Sequence, residues 1–267
     1  MFVKISQNEL SSNTFFEKLA QACQVGFFYL EIPQNLKSLI DHSVNFGNSF
    51  YKTDEYTNLT NLEGFSGYYD RKNFQVESLY LEKKYWEEKL SCELKNVAYE
   101  MQITSVDILK KVLTHCNVLQ SEWNLVTGGA TSFNCQTHLT YNHYRFEKNN
   151  DDIQGMHEHC DFGQITVLFI NKPGLQVKFE NEWHNVDPVE NHFVINFGAA
   201  LEKLINNPAK LVAASHRVLR VSNDRISFGI FTDNSNESMI YTMIDGNLIS
   251  TGMTFQECAE KGFSAYY

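Results

Sequence analysis

A chain of 267 residues that is 43% hydrophobic and 13% aromatic can bury a substantial core, and its length suits one large β domain or two small ones. We expect a single domain over residues 1–267. Thirty-two acidic residues against 22 basic ones give a formal net charge of −10, which would repel nucleic-acid phosphates and anionic membranes.

The six cysteines form no CxxC pair, as is typical of reduced thiols in a cytosolic protein. The N-terminal sequence has neither the basic nor the apolar region of a signal peptide, and no stretch approaches the ~20 apolar residues of a membrane span. We therefore expect a cytoplasmic protein without a nucleic-acid or membrane partner. The sequence does not indicate an oligomeric state.

The first part of the chain, residues 1–120, is rich in helical patterns. Apolar positions at helical spacing predict helices over residues 12–24 and 34–51, and the aromatic run GFFYLEI between them predicts a strand. Residues 58–76 are rich in Asn, Gly and Tyr without clear periodicity, which predicts a long functional loop. Residues 85–119 have the spacing of one long helix or a bent pair.

The pattern changes over residues 131–232, where short β-rich runs alternate with turn signals. Examples are QITVLFI, HFVINFG and RISFGIF. Many short strands at close spacing favour a sandwich or a barrel. Residues 233–267 contain a possible strand, MIYTMI, and a short helix, TFQECAEKG, which would form a flap against the β core.

A group of possible metal ligands lies in the segment MHEHCDFG. Strand residues two apart point to the same face, so His157, His159 and Asp161 would share one side, and any two of them could chelate a metal. A later strand could bring His216, in SHRV, alongside them. Two imidazoles and one carboxylate on one face of an octahedron are typical of non-haem Fe(II) oxygenases. The HxD spacing alone is common by chance.

The order of motifs resembles the isopenicillin N synthase-like branch of the Fe(II)/2-oxoglutarate oxygenases. The resemblance covers nearly the whole chain, and its motifs are QVGFFYL, SGYY at 66–69, VESLYL at 76–81, NHY at 142–144, HCD at 159–161, GLQV, WxxVxP at 183–188, VINFG, HRV at 216–218, RIS at 225–227 and the closing MTFQECAEKGFSAYY. It implies a mainly β fold with a double-stranded β-helix (jelly-roll) core supported by N-terminal and C-terminal helices.

The resemblance implies that Fe(II) is bound by His159, Asp161 and His216. His157 then becomes a residue that faces the substrate or supports a ligand. Two departures from the common pattern, Ala199 and Pro208, affect the loop before His216 but none of the three ligands.

Arg225 and Ser227 lie two apart on a predicted strand, so a guanidinium and a hydroxyl would face one way and suit a carboxylate. An ion pair between Arg225 and a local acid is the alternative. In the family this pair binds the distal carboxylate of 2-oxoglutarate, with help from an Asn and a Tyr that match Asn142 and Tyr144. With O2 as the further reactant, the expected outcome is hydroxylation, desaturation or cyclisation of a small molecule.

Two alternatives remain open. Isopenicillin N synthase uses the same R-x-S pair for its substrate and needs no 2-oxoglutarate, so this chain could be a cosubstrate-independent iron oxidase. The tripeptide of that synthase is a poor candidate, because Phe65 stands where the synthase has a carboxylate-binding arginine. A catalytically silent jelly-roll that binds a ligand or a partner protein, with zinc in the site, is less favoured because all three metal ligands are present.

Contacts to the primary substrate are predicted for Tyr69, Arg71 and Gln75 in the long loop and for His157 at the mouth of the site. Each of them could equally be an ordinary polar surface residue. Arg71 would suit an acidic or amino-acid-like substrate, but the sequence does not identify that molecule.

Overall fold

Helices and strands alternate in the first half of the chain, and strands dominate the second half. The computed structural model describes residues 2–60, 62–71, 73–146, 154–207 and 210–261. The helices are α1 (Asn13–Val25), α2 (Lys37–Gly47), α3 (Asp54–Thr57), α4 (Trp86–Lys89), α5 (Cys92–His115), α6 (Trp123–Val126), α7 (Ala199–Ile205) and α8 (Phe255–Lys261). The strands are β1 (Lys4–Ile5), β2 (Phe27–Glu31), β3 (Gly67–Arg71), β4 (Val76–Glu82), β5 (Thr137–Tyr144), β6 (Met156–His159), β7 (Ile165–Ile170), β8 (Leu175–Phe179), β9 (Glu182–Val186), β10 (His192–Phe197), β11 (His216–Val218), β12 (Arg225–Thr232), β13 (Met239–Ile244) and β14 (Asn247–Thr254).

The predicted N-terminal helices and the strand between them are confirmed. In α1, apolar residues at helical spacing, among them Phe15, Leu19 and Cys23, are buried. The helix ends at Val25 and is capped by Gly26, whose left-handed backbone (φ 90°) lets its N–H donate to the carbonyl of Ala22 at 2.9 Å. Residues 85–119 form the bent pair α4 and α5, because α4 ends at Lys89 and a new helix begins after Ser91. Within the described ranges, none of the helices has both the length and the apolarity needed to cross a membrane.

The predicted loop over residues 58–76 is wrong in its second half. Residues Gly67–Arg71 form β3, which pairs antiparallel with β4 from Gly67 opposite Tyr80 to Arg71 opposite Val76. β3 lies at the edge of its sheet, so among the described strands one side of its backbone has no partner, and its GYYDR sequence lacks the alternation of a buried strand. Pairing with β4 creates this strand despite its weak local propensity.

The C-terminal predictions are confirmed for the strand MIYTMI, which is β13, and for the short helix, which is α8. The exposed β14, which pairs with β13 in a separate hairpin, has no apolar alternation and was not predicted. Pro208 and the last residues of the closing motif, 262–267, lie outside the described residues.

Two sheets face each other across an apolar layer. The larger sheet has the order β1-β2-β10-β7-β12-β5-β4-β3, and the smaller one has the order β6-β11-β8-β9. One hydrophobic cluster joins side chains from both sheets, for example Tyr144 and Ile170 of the larger with Val177 and Val218 of the smaller. A second cluster lies on the opposite face of the larger sheet, where α1, α2 and α5 pack.

The predicted fold class is confirmed: the core is a jelly-roll whose two sheets are not closed into a barrel, and helices support it from outside. Helical residues, at about 38%, outnumber strand residues, at about 31%, largely because of the 24-residue α5 and the 13-residue α1 outside the sheets. The strand runs predicted over 131–232 all occur as β5 and β7 to β12.

The register of the larger sheet arranges the side chains that face the smaller sheet into four rows. Successive rows are two residues apart along each strand, about 7 Å. The first row is Arg71, Val76, Tyr144 and Arg225; the second is Tyr69, Ser78, Asn142 and Ser227; the third is Tyr80, Thr140 and Gly229; the fourth is His138, Phe231, Thr166 and Asn196.

Gly26 and Gly246 both have left-handed backbones, with φ of 90° and 78°, but their surroundings differ. A Cβ at Gly26 would lie 2.7 Å from the backbone nitrogen of Ala214, whereas one at Gly246 would meet nothing within 4 Å. We expect G246A to lower the free energy of unfolding by about 1 kcal/mol, the cost of a left-handed backbone. We expect G26A to lower it by about 3 kcal/mol, because the backbone at Ala214 must also move. Urea unfolding followed by circular dichroism measures both losses, and equal losses would contradict a role for the Ala214 backbone.

Candidate metal centre and carboxylate pocket

Three ligand side chains converge at the end of the smaller sheet. His159 ends β6 and His216 begins β11, and these antiparallel strands place the two residues directly opposite each other, with ring centroids 4.3 Å apart. Asp161 follows two residues after His159, and its Oδ1 lies 3.7 Å from Nε2 of His216. One ligand atom from each residue lies within 4.8 Å of the others, which is close enough for a single metal ion.

Backbone carbonyls orient both imidazoles. Nδ1 of His159 lies 2.8 Å from the carbonyl oxygen of His157, and Nδ1 of His216 lies 2.9 Å from that of Ala214. A carbonyl oxygen can only accept, so each Nδ1 carries a proton, and in the neutral ring the lone pair then lies on Nε2. A hydrogen bond of this kind is the usual way in which proteins fix the tautomer of a metal-binding histidine.

Asp161 is held by the fourth row of the larger sheet. Nδ2 of Asn196 lies 3.5 Å from its Oδ2, and Thr166 also hydrogen-bonds its carboxylate. Burial alone would raise the pKa of Asp161, but His216, His159 and the hydrogen bonds from Thr166 and Asn196 together outweigh burial, so the net pKa is lowered. Burial, together with His216, lowers the pKa of His159 to about 4. The carboxylate is therefore ionised and the imidazole neutral, which are the forms that bind metals.

His157 lies beside this group but outside it. Its ring is exposed, with its centroid 5.7 Å from that of His159 and 5.1 Å from that of Phe74. Among the described His, Cys, Asp and Glu residues, the group able to hold a metal consists of His159, Asp161 and His216. The structure thus distinguishes His159, which belongs to the metal-binding group, from His157, which does not; their spacing in the sequence left both possible.

A cationic pocket lies on the inward face at the start of β12. The Arg225 side chain is fully buried, its Nε donates to the carbonyl of Lys172 at 3.1 Å, and its guanidinium carbon lies 4.7 Å from the centroid of the Tyr144 ring. Nη1 is buried without a hydrogen-bond partner. Burial lowers the pKa of the guanidinium, but an arginine stays charged at neutral pH. A buried charge with an unused donor is costly unless an anion completes it.

The second row adds polar groups next to this guanidinium. Ser227 lies opposite Asn142 in the register, and Oδ1 of Asn142 accepts from the hydroxyl of Ser78 at 2.6 Å. That bond uses the amide oxygen and leaves the NH2 group as the donor. The four residues predicted for the 2-oxoglutarate site, Asn142, Tyr144, Arg225 and Ser227, are thus neighbours on one face.

The predicted substrate residues of the 58–76 segment have different positions. Tyr69 and Arg71 belong to β3 and face the space between the sheets; Nη2 of Arg71 donates to the hydroxyl of Tyr80 at 3.1 Å. Gln75 is buried, and its Oε1 accepts from the backbone nitrogen of Val221 at 2.8 Å, so this residue holds the loop before β12.

Sequence reasoning missed several residues around the site, namely Ser78, Tyr80, His138, Thr166 and Asn196. Each is an inward-facing residue on a strand that pairs with β5, β7 or β12 or belongs to them. Alternation within VESLYL could have identified Ser78 and Tyr80 once that segment was placed beside β5.

Residues 134–234, which contain the triad and the cationic pocket, match the family model described as the 2OG-Fe(II) oxygenase superfamily. This segment belongs to that superfamily. The chain is 43% identical over 116 residues to thebaine 6-O-demethylase of Papaver somniferum, covering 40% of this chain and 31% of that protein. It is 35% identical over 97 residues to 1-aminocyclopropane-1-carboxylate oxidase 4 of Arabidopsis thaliana, covering 35% of this chain and 29% of that protein. The chain thus matches less than a third of the length of these relatives.

Solved structures share the fold over nearly the whole chain. JOX2 in complex with 2OG, Fe and JA superposes with a TM-score of 0.82 at 20% identity, covering 97% of this chain and 84% of that one. The dioxygenase for auxin oxidation in rice superposes with a TM-score of 0.79 at 18% identity, covering 100% of this chain and 96% of that one.

The residues present fit the two groups that the superfamily name implies. Two imidazoles and one carboxylate form the donor set that suits Fe(II) and leaves positions for further ligands. The unpartnered Nη1 of Arg225 supplies a donor for a carboxylate such as that of 2-oxoglutarate.

Substituting His159 should have a far larger effect on iron binding than substituting His157. We expect H159A to weaken Fe(II) binding by roughly 100-fold or more, because a direct ligand is lost, and H157A to weaken it by less than about threefold. Anaerobic calorimetric titration with Fe(II) measures both. The H157A protein is the matched control, since it loses the same ring from the same strand, and comparable losses in the two variants would contradict the assignment.

Proposed function

We propose that this protein is an Fe(II)- and 2-oxoglutarate-dependent dioxygenase that oxidises a small organic molecule. The observation that carries the proposal is the pairing of an oriented His159-Asp161-His216 group with a buried, incompletely paired Arg225 in one inter-sheet space. The three ligands alone would also suit zinc, and the arginine alone would also suit another buried anion. Together they provide a metal site and a carboxylate site on facing surfaces.

Iron would be held by Nε2 of His159, Nε2 of His216 and the Asp161 carboxylate. The carbonyls of His157 and Ala214 keep the lone pairs directed inward, and Asn196 and Thr166 keep the carboxylate in place. Iron and 2-oxoglutarate, when bound with O2, supply the oxidising chemistry. The chain supplies binding, orientation and a site shielded from water.

Arg225 would bind the far carboxylate of 2-oxoglutarate through Nη1, with Ser227 and the Asn142 amide as further donors and the Tyr144 ring against the guanidinium. Burial makes this interaction strong, because few water molecules compete for the guanidinium. The same burial makes loss of the arginine costly for binding.

A second candidate is a 2-oxoglutarate-independent iron oxidase, in which Arg225 and Ser227 bind a carboxylate of the substrate itself. Several matched relatives, from plants such as Arabidopsis thaliana and Malus domestica, are named 1-aminocyclopropane-1-carboxylate oxidase. The similarity to these oxidases supports the second candidate. Succinate separates the two: succinate in step with O2 consumption supports the dioxygenase, and substrate-dependent O2 consumption without 2-oxoglutarate supports the oxidase.

Arg225 should control cosubstrate binding without affecting iron. We expect a visible absorption band when 2-oxoglutarate is added anaerobically to the Fe(II) protein, and we expect R225M to raise the concentration needed for half of that band by roughly 100-fold. Fe(II) affinity, measured by calorimetry, should stay unchanged.

The control for that experiment is K172M. Lys172 lies near Arg225 and carries the same charge, but it accepts from Arg225 through its backbone carbonyl alone, so its side chain can be shortened without removing that contact. We expect K172M to bind 2-oxoglutarate within about twofold of the unaltered protein. A wild-type protein that binds Fe(II) but develops no band with 2-oxoglutarate would contradict the leading proposal.

A further inference from the structure

A second guanidinium faces the inter-sheet space at a distance from the first. Arg71 lies in the first row like Arg225, but on β3, three strands away, so the two backbones are about 14 Å apart at the usual strand spacing. Arg225 stays over Tyr144, whereas Nη2 of Arg71 reaches Tyr80 in the third row. The two arginines therefore serve different positions.

Arg71 has the same incomplete pairing that marks the carboxylate pocket. Its Nε is buried without a hydrogen-bond partner, and within the part of the chain that the structure describes no carboxylate forms an ion pair with it. The nearby Asp70 pairs with Arg145 instead, at 2.8 Å. Arg71 therefore retains hydrogen-bonding capacity for an anion.

Tyr80 complements this cation. The Tyr80 side chain is partly buried, and burial raises the pKa of its hydroxyl, which therefore stays protonated. Its oxygen already accepts from Arg71, so the hydroxyl hydrogen can be donated to another acceptor. A guanidinium and a phenol hydroxyl side by side provide the charge and the donors that a carboxylate requires.

A line of rings connects this position with the metal centre. We name Tyr69, Tyr80, His138 and Phe231 the aromatic track. Its ring centroids are separated by 5.4 Å from Tyr69 to Tyr80, 6.0 Å from Tyr80 to His138 and 4.7 Å from His138 to Phe231, where the two rings are nearly parallel. The track ends in the fourth row, beside Thr166, which hydrogen-bonds the metal ligand Asp161.

We propose that the primary substrate is a small, flat carboxylic acid whose carboxylate binds Arg71 and Tyr80 while its apolar body lies along the aromatic track toward the metal. The aromatic rings provide a broad apolar surface for such a body, and the arginine fixes which end approaches the triad. This inference rests on the proposed oxygenase function only for the statement that the apolar end of the substrate approaches the metal. The binding of the acid can be tested by itself.

The test uses aromatic acids of increasing length. Phenylacetate, 3-phenylpropanoate and 4-phenylbutanoate, each paired with its neutral amide, are titrated by calorimetry into the anaerobic protein loaded with Fe(II) and 2-oxoglutarate. We expect at least one acid to bind roughly 10- to 100-fold more tightly than its amide, the usual effect of a charged hydrogen bond. Acetate, which lacks a ring, should bind more weakly than any of the three.

Two variants locate this preference. R71M should reduce the affinity of the acid to that of its amide, and R71K should keep part of the preference because the charge remains. Y80F should lower the preference about fivefold through loss of one hydroxyl. K95M, which removes one positive charge from the surface helix α5, is the control and should bind the acids unchanged.

Three results would overturn the inference: equal affinity for acids and amides, an acid preference that survives in R71M and Y80F, or a weaker 2-oxoglutarate band in R71M. The last would assign Arg71 to the cosubstrate. The band is recorded on the same samples, so its absence in the unaltered protein counts against the oxygenase proposal alone. Arg71-dependent binding of the acids would still support the acid site in that case. If R71M does not fold, Y80F and R71K decide the question.

Discussion

The antiparallel pairing of β6 with β11 is the contact on which the site depends. It places His159 opposite His216, and it does so at the end of the smaller sheet, where the chain leaves β6 and can turn Asp161 back toward the two rings. Strand pairing fixes side-chain positions to within a fraction of a residue, because a shift of one residue would send a ring to the other face. A metal site built on such a register is preorganised before the metal binds.

The two faces of the larger sheet have different roles. Its outer face packs on the helices through an apolar cluster, and its inner face carries arginines, amides and hydroxyls in ordered rows. Polar groups in the interior are tolerated where each has a partner, and the exceptions are informative. Arg225 and Arg71 are such exceptions, and both face the space between the sheets.

The sequence was sufficient for the parts of the fold that local patterns determine, and insufficient for the parts that pairing determines. Helical spacing identified α1, and dense β runs identified the core strands. β3 has no such pattern, and as an edge strand it is held in its sheet by pairing with β4 alone among the described strands. The candidate ligands followed from the ordered motifs, but only the geometry separated His159 from His157. Asn196 and Thr166 occur in ordinary strand sequences, and their contact with Asp161 arises from the pairing of β10 with β7. A single sequence does not contain that register, because it results from packing across the whole sheet.

The backbone contacts at the end of α1 also indicate whether the oxygenase segment can be an independent structural unit. Around Gly26, the carbonyl of Cys23 accepts from Val212, and that of Gly26 accepts from Phe197. These bonds attach the N-terminal helix to the segment that leads to His216 and to the end of the strand that carries Asn196. Residues 134–234 alone would lack both attachments, together with β2 and β4. The segment that matches the family model is thus smaller than the unit that these contacts hold together. Moving the segment into another protein would require the N-terminal third of the chain as well.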